Sequence, residues 1–85
     1  MRILHLTLHR KWFDEIASGI KVNEYRDIKP YWEKRLEGKT FDEIHFRNGY
    51  SKTAPFMRVK WSGIRKEKAK NRFNIILGKV LEVKY

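Results

Sequence analysis

The segment GIKVNEYR, residues 19–26, places three chargeable side chains among strand-forming ones: Lys21, Glu24 and Arg26. Glu24 and Arg26 are two positions apart, so on a β-strand both side chains leave the same face. Beside them, Lys21 stands where the strand begins. An arginine fork can hold a phosphate or the edge of a base, which makes this cluster a candidate ligand site. The structural alternative is that these charges form an ion pair that only orders the strand. Charged pairs are common on small domains, and exposed ones contribute little stability.

Hydrophobic periodicity predicts the elements that must position this cluster. Helices are predicted at residues 10–18 and 29–38, each ending at a glycine, and the second is expected to open at Lys29–Pro30. Strands are predicted at residues 2–8, from 19–26 onward, at 43–47, at 57–61 and at 73–83. Gly78 is expected to bulge or bend the last strand. Residues 64–72 are basic and poor in apolar anchors, which indicates an exposed loop.

This order of elements predicts the fold class. A chain of 85 residues is too short for a second core, so residues 1–85 are expected to form one domain. Strand, helix, strand, helix and three further strands are typical of an α+β domain. We expect about five mixed strands, curled by twist and glycine bends into a small partial barrel, with two short helices.

The amino-acid composition indicates which classes of partner and cofactor to expect. Twenty lysines and arginines against ten acidic residues give a net charge of +10, which favours a polyanion, most plausibly nucleic acid, as partner. The alternative is that this charge only maintains solubility. The chain has no cysteine, and His5, His9 and His45 lack metal-ligand spacing, so we expect no metal and no cofactor. No apolar run approaches membrane length and no leader-like segment opens the chain, so a cytoplasmic monomer is expected.

The cluster and the segment before it resemble a known family. Gly19, Lys21, Glu24 and Arg26 form G-x-K-x-x-E-x-R, which is similar to the signature of the ASCH domain family. The stretch LHLTLHRKWFDEIASG also resembles that family's opening strand, turn and helix, so the resemblance covers roughly the first 30 residues. It implies a PUA-like β-barrel that binds RNA or a modified nucleotide in a cleft between barrel and helix. The residues that it places in or near that cleft are Lys21, Glu24, Arg26, Thr7 and His9.

The resemblance also implies an alternative, in which the same cleft belongs to an enzyme. One branch of the family resembles amidohydrolases that deacetylate a modified cytidine with a lysine, a threonine and a glutamate. In that branch the threonine lies three positions after the lysine, where this chain has Glu24, and this difference counts against the activity. Other members are described as ribonucleases. For that reaction Glu24 would act as the base while Lys21 and Arg26 stabilise the phosphorane.

Two further sets of residues are candidate nucleic-acid contacts. Arg47, Asn48 and Tyr50 lie where a strand runs into a turn, and they are suited to reading or stacking an unpaired base; the alternative is a simple Asn-Gly turn. Residues 58–72 carry seven cations and one acid, and they are suited to tracking a phosphate backbone unless they form only a solvated basic loop. The predicted contacts in that stretch are Arg58, Lys60, Arg65, Lys66, Lys68 and Lys70. Trp12, Trp32 and Trp61 fall on apolar faces, so core positions are predicted for them.

Overall fold

The computed structural model describes residues 1–49 and 51–85, which form a five-stranded sheet with two helices. The elements are β1 (Ile3–Thr7), α1 (Arg10–Ala17), β2 (Asn23–Asp27), α2 (Pro30–Leu36), β3 (Glu43–Arg47), β4 (Phe56–Glu67) and β5 (Arg72–Lys84). A 3-10 turn, Lys68–Lys70, joins β4 to β5. The predicted number of strands and helices and their order are therefore confirmed.

The sheet is mixed and curled into a half-barrel, as predicted for the α+β class. The strand order is β1-β3-β4-β5-β2, with β1 and β3 parallel and the other neighbours antiparallel. The curl brings the two edge strands within reach of one side chain. Arg26 on β2 donates from Nη2 to the carbonyl oxygen of Thr7 on β1, at 3.3 Å. The side chain of Arg26 thus connects the two edge strands, β1 and β2, which are not paired by backbone hydrogen bonds in the described structure.

The core lies inside the curl, where alternate strand residues meet one face of each helix. Phe13 and Ile16 of α1 and Leu36 of α2 are buried against the strands. The other core residues come from the sheet and the end of β1: Leu4, Leu6, Leu8, Ile44, Phe46, Met57, Val59, Phe73, Ile75 and Leu77. Fully burying one such side chain contributes about 1.5–3 kcal/mol, so this cluster is the main source of stability.

Helix α1 ends at Ala17, and Gly19 follows its C-cap residue Ser18, where the sequence predicts a terminating glycine. The Gly19 backbone has φ +84°, a left-handed conformation that favours glycine. Its N–H donates to the carbonyl of Ile16, and the N–H of Lys21 then donates to the carbonyl of Glu15. These bonds fix the path from the helix into β2, so Lys21 leaves the chain at a defined point beside the sheet.

Strand β4 is longer than predicted, and the loop prediction for residues 64–72 is wrong over most of its length. Residues 64–67 continue β4 and pair with β5 through Ile64↔Ile75 and Lys66↔Phe73. The loop is only the short turn that follows, because Arg72 already begins β5. The basic composition of residues 64–67 misled the sequence interpretation, since its three consecutive charged side chains are exposed or ion-paired at the end of the β4–β5 ladder.

The bend predicted at Gly78 is present. The β4–β5 register shifts between Val59 and Trp61, opposite this glycine. A Cβ atom on Gly78 would lie 2.9 Å from the carbonyl oxygen of Lys60, so the close approach of the two strands requires glycine here.

The three tryptophans take different positions. Trp32 and Trp61 are partly buried and pack against the core, in line with the prediction. Trp12 is 40% exposed, so its predicted core position is wrong. On α1 the buried pair is Phe13 and Ile16, three positions apart, and this pair leaves Trp12 at the margin of the buried face.

Candidate binding cleft

Lys21, Glu24 and Arg26 meet in one cleft, as their spacing predicts. Glu24 is 6% exposed and is the one charged or polar residue among the buried residues that the structure describes. Arg26 Nη2 lies 2.6 Å from Glu24 Oε2, and Lys21 Nζ lies 3.5 Å from Glu24 Oε1. Each carboxylate oxygen therefore faces a different cation.

The burial of Glu24 follows from its place on β2. Glu24 pairs with Ile75, which is fully buried, so the carboxylate occupies a position in the sheet where an apolar residue is expected. A buried carboxylate is costly unless cations and hydrogen bonds compensate for its lost hydration. Lys21 and Arg26 provide that compensation. The chain thus holds a charged group at a position where a leucine would pack more simply, which is typical of a ligand site.

Arg26 connects the cluster to both edges of the sheet. One of its nitrogens, Nη2, contacts both Glu24 and the Thr7 carbonyl. Its Cζ lies 5.0 Å from the ring centroid of Trp32, within cation–π range. The Nε atom is buried and has no hydrogen-bond partner in the described part of the chain. Arg26 is therefore a structural link between β1 and β2 as well as a wall of the cleft.

Aromatic rings form the remaining walls of the cleft. Lys21 Nζ lies 5.4 Å from the ring centroid of Trp12 and 5.2 Å from that of Tyr25. The cleft has a volume of about 690 Å³. Its lining residues are Thr7, Leu8, His9, Trp12, Lys21, Glu24, Tyr25, Arg26, Asp27 and Trp32. Thr7 and His9 are thus lining residues of the same cleft as Lys21, Glu24 and Arg26.

Trp12, Tyr25 and Trp32 were not predicted to belong to the site. Tyr25 lies between Glu24 and Arg26 in the sequence, and this position could have indicated that Tyr25 belongs to the site. Trp12 and Trp32 gave none, because apolar periodicity alone does not show which margin of a helix faces a cleft. A cleft whose bottom is ionic and whose walls are aromatic can hold a planar ring that also carries hydrogen-bonding groups.

The turn cluster at residues 47–50 has a structural role in the part that the structure describes. Asn48 donates from Nδ2 to the carbonyl of Leu8 at 3.0 Å, and its backbone N–H donates to the carbonyl of Pro55. These bonds tie the end of β1 to the β3–β4 connection. Arg47 is exposed, with its Cζ 4.7 Å from the ring centroid of Phe56. The predicted contact Tyr50 lies outside the described residues.

The cations of the predicted basic tract, residues 58–72, fall into two groups: those that form an ion pair with an acidic residue and those that do not. Arg58 contacts Glu43 and Glu82, Lys66 contacts Glu37 and Glu33, and Arg72 contacts Glu67. The hydrogen bond that Lys66 donates to the Glu37 carboxylate is the main cause that raises the pKa of Lys66. Within residues 1–49 and 51–85, the tract's cations without an ion pair are Lys60, Arg65, Lys68 and Lys70, all of them exposed. Only this second group is open to a phosphate backbone without first breaking an ion pair.

Other classes of site find no support in the described part of the chain. No group of three or more histidine, aspartate or glutamate residues there is placed to hold a metal ion. No helix there is both long and apolar enough to cross a membrane. Compared with protein-family models, with curated proteins and with solved structures, the chain gives no match. The geometry of the cleft and the resemblance of its signature are therefore the grounds for a functional proposal.

Proposed function

We propose that the protein is an RNA-binding module and that its cleft takes one nucleotide of a single strand or a modified nucleotide. The observation that carries this proposal is the buried Glu24, held between Lys21 and Arg26 at the bottom of a cleft walled by aromatic rings. The resemblance of the same residues to the ASCH signature supports this proposal. The net charge of +10 supports a polyanionic ligand.

The chemistry of a nucleotide matches each part of the cleft. A base can stack on Trp12, whose ring is partly exposed, because each base has a π-face. Glu24 can accept hydrogen bonds from an exocyclic amine or a ring N–H, and Lys21 can donate to a carbonyl or phosphate oxygen. The volume of about 690 Å³ lies within the range of small-ligand sites. Selectivity among bases then depends mainly on the carboxylate of Glu24.

The proposal is tested by measuring binding of a short fluorescent single-stranded RNA to Trp12→Ala and Glu24→Gln variants. Losing a base stack costs about 1–3 kcal/mol, so Trp12→Ala is expected to bind roughly 5- to 150-fold more weakly. Glu24→Gln is expected to change the preference among bases. Tyr85→Ala is the matched control, because Tyr85 is also an exposed aromatic residue but lies outside the cleft lining. Wild-type affinity and preference in both cleft variants would contradict the proposal.

The same samples distinguish binding from catalysis. Both oxygens of Glu24 are held by cations, an arrangement that suits recognition better than proton abstraction. We therefore expect no new product after incubation with short RNAs or with a cytidine acylated on its exocyclic amine. A product that forms with the wild type and disappears with Lys21→Ala would instead assign an enzyme to this cleft.

A further inference from the structure

A second basic site lies beside the cleft, in a groove of about 200 Å³ between β1 and α2. Its lining residues are Arg2, Ile3, Leu4, Arg35, Lys39 and Phe41. Three of these six are cations and none is acidic. Within the described residues, none of the three cations forms a salt bridge. Eight of the ten acidic residues pair with a lysine or arginine in the described structure, and none of these pairs involves the groove, so its positive charge is not offset by an ion pair.

Aromatic rings hold the two arginines of the groove in place. Arg2 Cζ lies 5.3 Å from the ring centroid of Phe41. Arg35 Cζ lies 5.3 Å from that of Tyr31 and 5.9 Å from that of Trp32. Such stacking limits the rotamers of a guanidinium while leaving its edge for a ligand. The groove is therefore organised before any anion arrives.

No acceptor in the described chain satisfies Arg35. Its Nε atom is buried and has no hydrogen-bond partner. Asp42 lies beside Arg2 and accepts its main-chain N–H at 2.7 Å, but it forms no ion pair with the three cations among the described residues. Arg35 also helps to lower the pKa of His5 on β1, after burial and the neighbouring His45. The groove thus combines three cations that form no ion pair among the described residues with one unsatisfied arginine donor, a combination that suits a phosphate group.

Trp32 connects the groove to the cleft. Its ring is within cation–π range of Arg26, which lines the cleft, and of Arg35, which lines the groove. A strand with one base in the cleft would therefore have its backbone next to the groove. Contacts to the backbone fix the position of a strand, while contacts to the base select it.

We propose that Arg2, Arg35 and Lys39 form a phosphate-binding site that takes the backbone of the strand whose base occupies the cleft. The identification of this ligand as a nucleic-acid backbone rests on the proposed function of the cleft. The groove, its positive charge and the unsatisfied Nε atom of Arg35 are observed independently of that proposal. This site is distinct from the predicted basic tract at residues 58–72, because none of the groove residues belongs to that tract.

The test uses the full chain and an oligouridylate of about eight nucleotides, and measures the dissociation constant over a series of salt concentrations. The groove variant is Arg2→Gln with Lys39→Gln, which leaves the packed Arg35 in place. The charge-matched control is Lys34→Gln with Lys79→Gln, since both lysines are exposed and lie outside the groove. We expect the groove variant to bind roughly 10- to 100-fold more weakly at low salt. Its log–log salt slope is expected to fall by about 1.4, or about 0.7 for each lost phosphate contact.

A cleft variant, Trp12→Ala, separates the possible outcomes. Weaker binding in both the groove variant and the cleft variant, with an unchanged control, supports both proposals. Wild-type affinity and slope in the groove variant, with weaker binding in the cleft variant, overturns the phosphate site alone. Weaker binding in the groove variant, with wild-type binding in the cleft variant, supports the phosphate site and overturns the proposed function of the cleft. If the wild type does not bind the oligouridylate, both proposals fall.

Discussion

At the scale of single residues, Arg26 has a structural role that its place in the motif does not show. It holds the buried Glu24 and joins β2 to β1 through the Thr7 carbonyl. Replacing it with alanine leaves Glu24 with Lys21 alone, at the longer distance of 3.5 Å. Loss of one partner of a buried pair is strongly destabilising, because the remaining charge is uncompensated.

We predict that Arg26→Ala lowers the free energy of unfolding by about 2–4 kcal/mol, measured by urea denaturation. The matched control is Arg10→Ala, which breaks the exposed pair between Arg10 and Asp14 on α1. An exposed i,i+4 pair contributes about 0.3–0.5 kcal/mol, so this variant should be nearly as stable as the wild type. Equal, small losses in the two variants would show that Arg26 is not a structural link.

The residues of the charged cluster were predictable from sequence, but their surroundings were not. Spacing places Glu24 and Arg26 on one face of a strand, and the glycine-ended helix places Lys21 beside them. The rings that line the cleft come from both helices and from β2, and their approach depends on how the sheet curls. For Asn48, by contrast, the residue type gave a misleading prediction. It suits base recognition by type, yet its amide is bound to the Leu8 carbonyl, a contact between residues 40 positions apart.

At the scale of secondary-structure elements, a chain of ion pairs crosses three strands on the side of the sheet away from the core. Arg58 on β4 lies between Glu43 on β3 and Glu82 on β5. Hydrogen bonds from Arg58, and then from His45, lower the pKa of Glu43 to about 2. A carboxyl whose folded pKa is depressed stabilises the protein above its unfolded pKa, and this stabilisation is lost as the pH falls towards the folded value.

We therefore predict that the free energy of unfolding falls between about pH 4.5 and pH 2, partly because Glu43 becomes protonated. The Glu43→Gln variant lacks this titration. Its stability should consequently change less with pH than that of the wild type across this interval, in urea denaturation at several pH values. The control is Glu15→Gln, which removes a helix carboxyl that forms no ion pair among the described residues. Identical pH profiles for Glu43→Gln and the wild type would contradict the prediction.

The same cross-strand pairing explains why the extent of β4 was missed. The interpretation of residues 64–67 as a loop relied on their charge. In the structure Lys66 pairs with Phe73 across the ladder and forms ion pairs with Glu37 and Glu33 near the end of α2. Strand formation here depends on pairing with β5 across a short turn and on ion pairs to residues of α2, and the charge of the segment indicates neither.

At the scale of the whole molecule, the net charge of +10 is unevenly neutralised. Eight of the twenty lysines and arginines form ion pairs with acidic residues, which leaves twelve without one in the described structure. The composition gives the total positive charge, but the sequence interpretation placed most of the predicted phosphate contacts in residues 58–72. Of these twelve, four lie in that tract, three lie in the groove between β1 and α2, and five lie elsewhere on the chain. We expect phosphate contacts chiefly from the tract and the groove.

This distribution predicts different salt responses for a charged ligand and an uncharged one. About three or four phosphate contacts on a single strand give a log–log salt slope of roughly −2 to −3 for the oligouridylate. Uridine, which has no phosphate, would use only the cleft, so its affinity should be almost independent of salt. Both slopes are measured by titration of the wild-type protein at several salt concentrations. A flat slope for the oligouridylate would mean that the unpaired cations do not contact its backbone. An equally steep slope for uridine would mean that salt acts on the cleft itself, through the ion pairs of Glu24 with Lys21 and Arg26.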